Sequence, residues 1–172
     1  MAALRLGDPA PAFSLPGLDG TSHSLADYEG KPVAVVFSCC HCPYVVAWED
    51  RLNEVARDVD GRAGFLAINA NAGYLGDSPD DMRRRAEEKG FVFPFLYDES
   101  QETAAAYGAV RTPEVFVFDA DHRLIYHGAP DSDYRDPSAA DPYLRPALDA
   151  ALAGTTPEVQ ETPPVGCTVK WR

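Results

Sequence analysis

A chain of 172 residues matches the usual span of about 100–200 residues per domain, and 45 % hydrophobic with 24 % charged residues is a globular composition, not a disordered one. Fifteen Lys and Arg against 27 Asp and Glu give a formal charge of −12. That excludes a nucleic-acid reader, which needs a basic face to displace counterions from phosphates, and it argues against docking on anionic lipid.

The N-terminus, Met1-Ala-Ala-Leu-Arg-Leu-Gly-Asp-Pro, has no apolar run long enough for a signal-peptide core, and no stretch approaches the roughly 18 apolar residues of a membrane span. A cytoplasmic location is expected, where cysteines serve chemistry and not stapling. Residues 9–31 are a turn-rich lead-in with a hairpin tip at Gly17 to Gly20. Val33-Ala-Val-Val-Phe37 is continuously apolar and largely β-branched, as a strand buried on both faces requires. After Pro43, Val45, Val46, Trp48, Leu52, Val55, Ala56 and Val59 recur at helical spacing until Gly61.

Gly64–Asn69 reads as a second buried strand. Ser78 is the N-cap of a second helix, with Pro79 at its first position and acids in its first turn. Phe93–Tyr97 is extended, Ser100–Tyr107 a short helix, and Val115–Phe118 a third core strand. A turn at Asp119–His122 leads to the antiparallel partner Leu124–Tyr126. Asp141–Leu152 is the last helix, stopped by Gly154. Alternating strands and helices closed by a hairpin and a helix predict an α/β fold: a central, mostly parallel sheet with an antiparallel edge hairpin and helices on both faces. Residues 1–154 make this domain, and 155–172 form a Pro-rich C-terminal tail whose apolar end, Cys167-Thr-Val-Lys-Trp171, can dock on it.

Three of the four cysteines, Cys39, Cys40 and Cys42, crowd one strand-to-helix turn. A disulfide framework spreads cysteines along a chain, so concentration at one point suggests chemistry. Free backbone N–H groups and the positive end of the helix dipole favour a thiolate there. The Cys39-x-x-Cys42 spacing lets two sulfurs exchange a disulfide with a substrate. Cys39, first in the motif and outside the helix, is the expected attacker and Cys42 the resolving thiol. His41 between them either tunes the thiol pKa or faces water. A proline heading a core strand, Thr112-Pro113, needs a reason, and a cis peptide bond is one.

This arrangement resembles the thioredoxin superfamily, in which a Cys-x-x-Cys at the first helix faces a cis-proline before a later core strand. More narrowly it resembles the redoxin branch, the alkyl hydroperoxide reductase/thiol-specific antioxidant type. The residues carrying this are Gly7-Asp-Pro-Ala-Pro-Ala-Phe, Leu25 to Pro32, Val33-Ala-Val-Val-Phe, Cys39-Cys-His-Cys-Pro-Tyr44, Ala106-Tyr-Gly108 and Thr112-Pro113 to Asp119. Cys-His-Cys-Pro-Tyr-Val, Asp77-Ser-Pro-Asp, Phe95-Leu-Tyr-Asp-Glu and the end Thr162-Pro-Pro-Val-Gly-Cys-Thr-Val-Lys-Trp are similar to a peroxiredoxin-like bacterial subgroup over nearly the whole chain.

The resemblance implies a thiol–disulfide oxidoreductase, with Thr112 and Pro113 aligning a disulfide-bearing protein or small molecule, no organic cofactor, and electrons from a partner reductase. A thiol peroxidase with Cys42 or Cys39 peroxidatic is the alternative. Against it, Val35 and Cys39 stand where the peroxiredoxin pattern Pro-x-x-x-Thr-x-x-Cys has Pro and Thr, and Arg111 is displaced from the activating arginine. Thioredoxin's buried acid corresponds to Val33. A copper or zinc thiol binder is a further alternative, although contiguous ligands cannot all point at one ion. Cys40 either points into the fold or joins the redox chemistry, and Cys167 is a distant resolving thiol if the tail folds back over Cys39 and Cys42.

Overall fold

The computed structural model describes residues 3–172; Met1 and Ala2, where the N-terminal reading begins, lie outside them. The lead-in forms a small hairpin of β1 (Ser14–Pro16) and β2 (Ser22–Ser24), with Leu15 opposite His23. Next come β3 (Val33–Ser38), α1 (Pro43–Val59), β4 (Gly64–Asn69), α2 (Pro79–Lys89), β5 (Phe95–Tyr97) and α3 (Glu102–Tyr107). After them come the two-residue β6 (Arg111–Thr112), β7 (Glu114–Phe118), β8 (Leu124–Gly128), α4 (Leu144–Leu152) and the two-residue β9 (Cys167–Thr168).

The central sheet has the order β5-β4-β3-β7-β8. β3, β4 and β5 run parallel, and the β7–β8 hairpin joins them through an antiparallel ladder against β3. All six residues of β3 are buried, as its unbroken apolar run requires. Its side chains alternate across the sheet. Ala34 and Val36 face Trp48, Leu52 and Val55 of α1, Met82 of α2 and Leu148 of α4. Val33, Val35 and Phe37 face Ala104 and Tyr107 of α3 together with Phe13 and Leu25 of the lead-in. The sheet therefore carries helices on both faces, and the C-terminal end of β3 opens directly into the cysteine turn.

The helix ends follow the local chemistry read from the chain. At the start of α2 the Ser78 hydroxyl accepts the Asp81 N–H at 3.1 Å, and the Asp81 carboxylate accepts the Ser78 N–H at 3.0 Å. Gly90 closes this helix with φ at 61°. The last helix begins at Leu144 and not at Asp141. The intervening residues are pinned elsewhere: Asp141 N–H donates to Ser132 Oγ at 2.8 Å, Ser132 N–H donates to Asp141 O at 3.0 Å, and Pro142 bridges to Asp131.

The tail lies on the domain along most of its length. His127 N–H donates to Gln160 O and Thr162 N–H to His127 O, both at 3.0 Å, so the tail first runs beside β8. It then crosses to β6, where β9 pairs antiparallel with Thr112 opposite Cys167. Beyond it Val169 is buried among the α3-side core residues. Lys170 N–H donates to Asn71 Oδ1 at 2.9 Å and Arg172 N–H to Gln101 Oε1 at 3.0 Å. Among the described residues no helix is long and apolar enough to cross a membrane.

Candidate active site

Cys42 is the N-cap of α1 and Pro43 is its first residue, so the turn from Cys39 to Cys42 spans the end of a central strand and the start of a helix. The Thr112–Pro113 bond is cis. Thr112 meets both sulfurs: its hydroxyl lies 3.6 Å from Cys39 Sγ, and its carbonyl oxygen 3.4 Å from Cys42 Sγ. Cys39, Cys42 and Val45 form one buried cluster against which Cys167 packs. The structure thus brings together Cys39, Cys42, Thr112, Pro113 and Cys167.

The three clustered thiols differ electrostatically. Cys42 is lowered from the ordinary thiol range to about 4. The Cys39 thiol against its sulfur is the main cause; burial opposes the shift, and the Cys167 thiol and the Val45 N–H assist it. Cys39 is raised, first because its proton is held against Cys42 and then by burial. Cys167 is pushed up to about 11 by burial and by its contact with Cys42. Cys42 stands at the helix N-terminus, where the dipole favours a thiolate. Cys42 Sγ faces the Cys39 and Cys167 thiols, and Cys39 Sγ faces the Thr112 hydroxyl, the Cys42 thiol and the Cys42 N–H.

Two sequence candidates are held apart from the sulfurs. His41 is half-exposed, stacks on Tyr74 with ring centroids 5.8 Å apart, and points Nδ1 at Asp77 Oδ2, 3.6 Å away. Cys40 continues the alternation of β3 onto the α1 face of the sheet. Its N–H donates to Asp77 Oδ1 at 2.8 Å, and Asn69 Nδ2 approaches its sulfur at 3.9 Å. Burial, then the charge of Asp77, raises its pKa. Cys40 therefore belongs to the fold side of the turn, pointing inward as one of its two expected orientations required. With it turned away, no group of three or more His, Cys, Asp or Glu side chains among the described residues stands in an arrangement that could hold a metal ion.

Sequence reading missed two acids. Asp77 is fully buried and accepts from Cys40 N–H, from Asn69 Nδ2 at 3.1 Å and from Asn71 Nδ2 at 3.2 Å. It fixes the cysteine turn from behind. Glu114 is also buried. It accepts the N–H groups of Val110 and Arg111 at 2.7 and 2.8 Å and pairs with His127 Nε2 at 2.6 Å. It holds the strand that carries Thr112. His127 is drawn inward by Glu114 and stacks on Phe116 with centroids 4.5 Å apart. The signal for Glu114 was present: a charged residue heading an otherwise apolar core strand needs a buried partner.

Comparison with known proteins places this geometry. The AhpC/TSA family model matches residues 6–127. Rv2521 of Mycobacterium tuberculosis, named for the peroxiredoxins, is 34 % identical over 115 residues, 66 % of this chain and 69 % of that protein. The thiol-disulfide oxidoreductase ResA of Geobacillus thermodenitrificans is 28 % identical over 125 residues, 71 % of this chain and 68 % of its own. The solved structure of an uncharacterized conserved protein from Geobacillus kaustophilus superposes with a TM-score of 0.89 at 37 % identity, covering 100 % of this chain and 97 % of that one. The tail lies outside the family match and inside the structural one. The fold is thioredoxin-like, and the chain belongs to the AhpC/TSA family of redoxin oxidoreductases.

Proposed function

We propose that the chain is a thiol–disulfide oxidoreductase whose redox pair is Cys39 and Cys42, with the thiolate held on Cys42. The observation that carries this is the contact of both sulfurs with each other and with Thr112, across the turn where β3 meets α1. In the reductive direction the Cys42 thiolate attacks a substrate disulfide and one substrate sulfur leaves as thiolate. Cys39, giving up its proton, then attacks Cys42 and releases the second. Cys39 and Cys42 end as a disulfide, and the substrate carries away two electrons. The Thr112 hydroxyl lies against Cys39, its carbonyl oxygen accepts from the Cys42 thiol before that thiol loses its proton, and Pro113 fixes the segment presenting both. Substrates are disulfide-bearing proteins or small molecules, a partner reductase restores the dithiol, and the setting is the cytoplasm.

A second reading has one specific observation in its favour: a thiolate at the cap of α1, directly before Pro43, is also placed to attack a hydroperoxide. The Cys42 sulfur would take the distal oxygen as sulfenic acid, breaking the O–O bond and releasing an alcohol or water, and Cys39 would then displace water to close the same disulfide. No guanidinium among the described residues makes a hydrogen bond to either sulfur to activate the peroxide, so disulfide exchange is favoured.

Reduction of a model disulfide such as insulin, beside consumption of hydrogen peroxide with the same electron donor, separates the two. Cys42→Ser should lose disulfide reduction by roughly a thousandfold, the scale of deleting a nucleophile. Cys39→Ser should accumulate a mixed disulfide at Cys42. Turnover undiminished in Cys42→Ser would overturn the assignment, and faster peroxide turnover with sulfenic acid trapped at Cys42 would replace it with the peroxidase.

A further inference from the structure

The redox pair just assigned is difficult to reach. Cys39 and Cys42 are each only 4 % exposed, yet thiol–disulfide exchange needs the incoming sulfur on line with the bond being broken. The cover over the sulfurs is the chain's own tail. The backbone of β6 is paired by β9, and the register sets Cys167 directly opposite Thr112, the residue that touches both sulfurs.

A strand docked in this register lays one side chain over Cys42, and the tail places a thiol there. The seat is shaped for that close approach. A Cβ added at Gly166 would overlap the Thr112 carbonyl oxygen, so glycine is required by the closeness of two backbones and not by its dihedral angles. The tail is anchored on both sides of the seat, by Thr162 against Tyr126 and Ala129 and by Val169, Lys170 and Arg172 beyond it. Of the three clustered sulfurs, Cys167 belongs to the only residue that is not buried.

We propose that Cys167 is a third redox residue that carries the disulfide from the buried pair to the surface. This rests on the oxidoreductase reading above. In the oxidised protein the Cys167 thiol, on losing its proton, attacks Cys42 Sγ. The Cys39–Cys42 bond breaks, Cys42–Cys167 forms, and Cys39 leaves as a thiolate that takes up the proton. No electrons are gained or lost in this step. A dithiol reductant then attacks the outer sulfur, Cys167, forming a mixed disulfide and releasing Cys42 as thiolate. Its second thiol closes the reductant's own disulfide and releases Cys167. Two electrons have entered the protein, and all three cysteines are reduced. The tail thus acts as a built-in substrate strand, and a protein reductant need never reach Cys39 or Cys42.

The full chain is oxidised with diamide, quenched in acid, and its disulfides mapped by peptide mass spectrometry; re-reduction is timed with thioredoxin as the protein dithiol and with dithiothreitol as the small one. Wild type should show both 39–42 and 42–167 bridges. Cys39→Ser should collect the 42–167 bridge alone. Cys167→Ser should still form the 39–42 bridge, but thioredoxin should reduce it at least tenfold more slowly than wild type, with a smaller change for dithiothreitol. A Cys167→Ser protein reduced by thioredoxin at the wild-type rate, or a Cys39→Ser protein without the 42–167 bridge, overturns the relay and leaves the redox pair standing. Failure of Cys167→Ser to form the 39–42 bridge overturns the pair itself and the relay with it.

Discussion

The cysteine turn has two sides, and adjacent residues face opposite environments. On the inner side, Cys40 lies against a closed polar network in which Asp77 takes hydrogen bonds from a backbone N–H and two asparagine amides. On the outer side, Cys39, Cys42 and Cys167 pack together against Thr112. Strand alternation at the end of β3 sends neighbouring cysteines apart, since successive side chains leave a strand on opposite faces. The inner side has fixed partners for every donor and keeps its thiol protonated. The outer side sets three thiols against one another, and the Cys42 thiol is lowered there. The same residue type is structural or chemical according to whether its surroundings complete its hydrogen bonding.

If that division is right, the inner side should fail through stability. Asp77→Ala would leave Cys40 N–H, Asn69 and Asn71 without their acceptor in a site closed to water. Each orphaned buried donor costs about 1–3 kcal/mol, so the total should be about 4 kcal/mol after partial relaxation. At this chain length that is a fall of roughly 10 °C in melting temperature. Thermal unfolding followed by circular dichroism checks it. A melting temperature near wild type combined with lost disulfide exchange would mean that Asp77 belongs to the chemistry and that the two sides are one site.

A smaller effect is expected on the outer side, where the tail can be lifted without touching a sulfur. Gly166→Ala must move β9 away from the Thr112 carbonyl, because the added methyl has backbone and not a flexible side chain in its way. The Cys42 sulfur should then be alkylated by iodoacetamide about tenfold faster, the equivalent of about 1.4 kcal/mol in the closed–open balance of the tail. Melting should be little changed, since the sheet and both cores are untouched. Equal alkylation rates in mutant and wild type would show that the tail does not gate the sulfurs.

What the sequence made legible on the two sides also differs. The strand, the helix start at Pro43, the Ser78 cap and the proline at 113 are written in local residue order, because each depends on neighbours within a few positions. The pairing of Cys39 with Cys42 was readable for the same reason. The docking of the tail was not. β9 has two residues, too few to show any period, and what fixes its register is the steric fit of Gly166 against a carbonyl distant in the chain. Asp77 was hidden likewise: it stands next to a helix cap, which explains an acid locally, while its burial depends on amides from the end of β4. Which sulfur attacks is not written in the motif, because order along it says nothing about which thiol the others point at.

The subtlest way to sharpen the comparison is a titration. The outer cluster should show one thiolate at a pH where an ordinary cysteine is almost wholly protonated, because Cys42 is lowered to about 4 while Cys167 is raised to about 11. The sign follows directly: a depressed value means that the charged form persists as pH falls and is lost only on passing the lowered value. Ultraviolet thiolate absorbance of the reduced Cys40→Ser protein should therefore stay level from pH 8 down to about pH 5, close to one thiolate per chain, and drop below it. Cys42→Ser should remove that plateau, whereas Cys167→Ala, by taking away one donor to the Cys42 sulfur, should move its lower edge upward by a fraction of a pH unit. A plateau that survives in Cys42→Ser but vanishes in Cys39→Ser would restore the charge to the first cysteine of the motif. The direction of attack across the turn would then be reversed, with the inner side of the comparison unchanged.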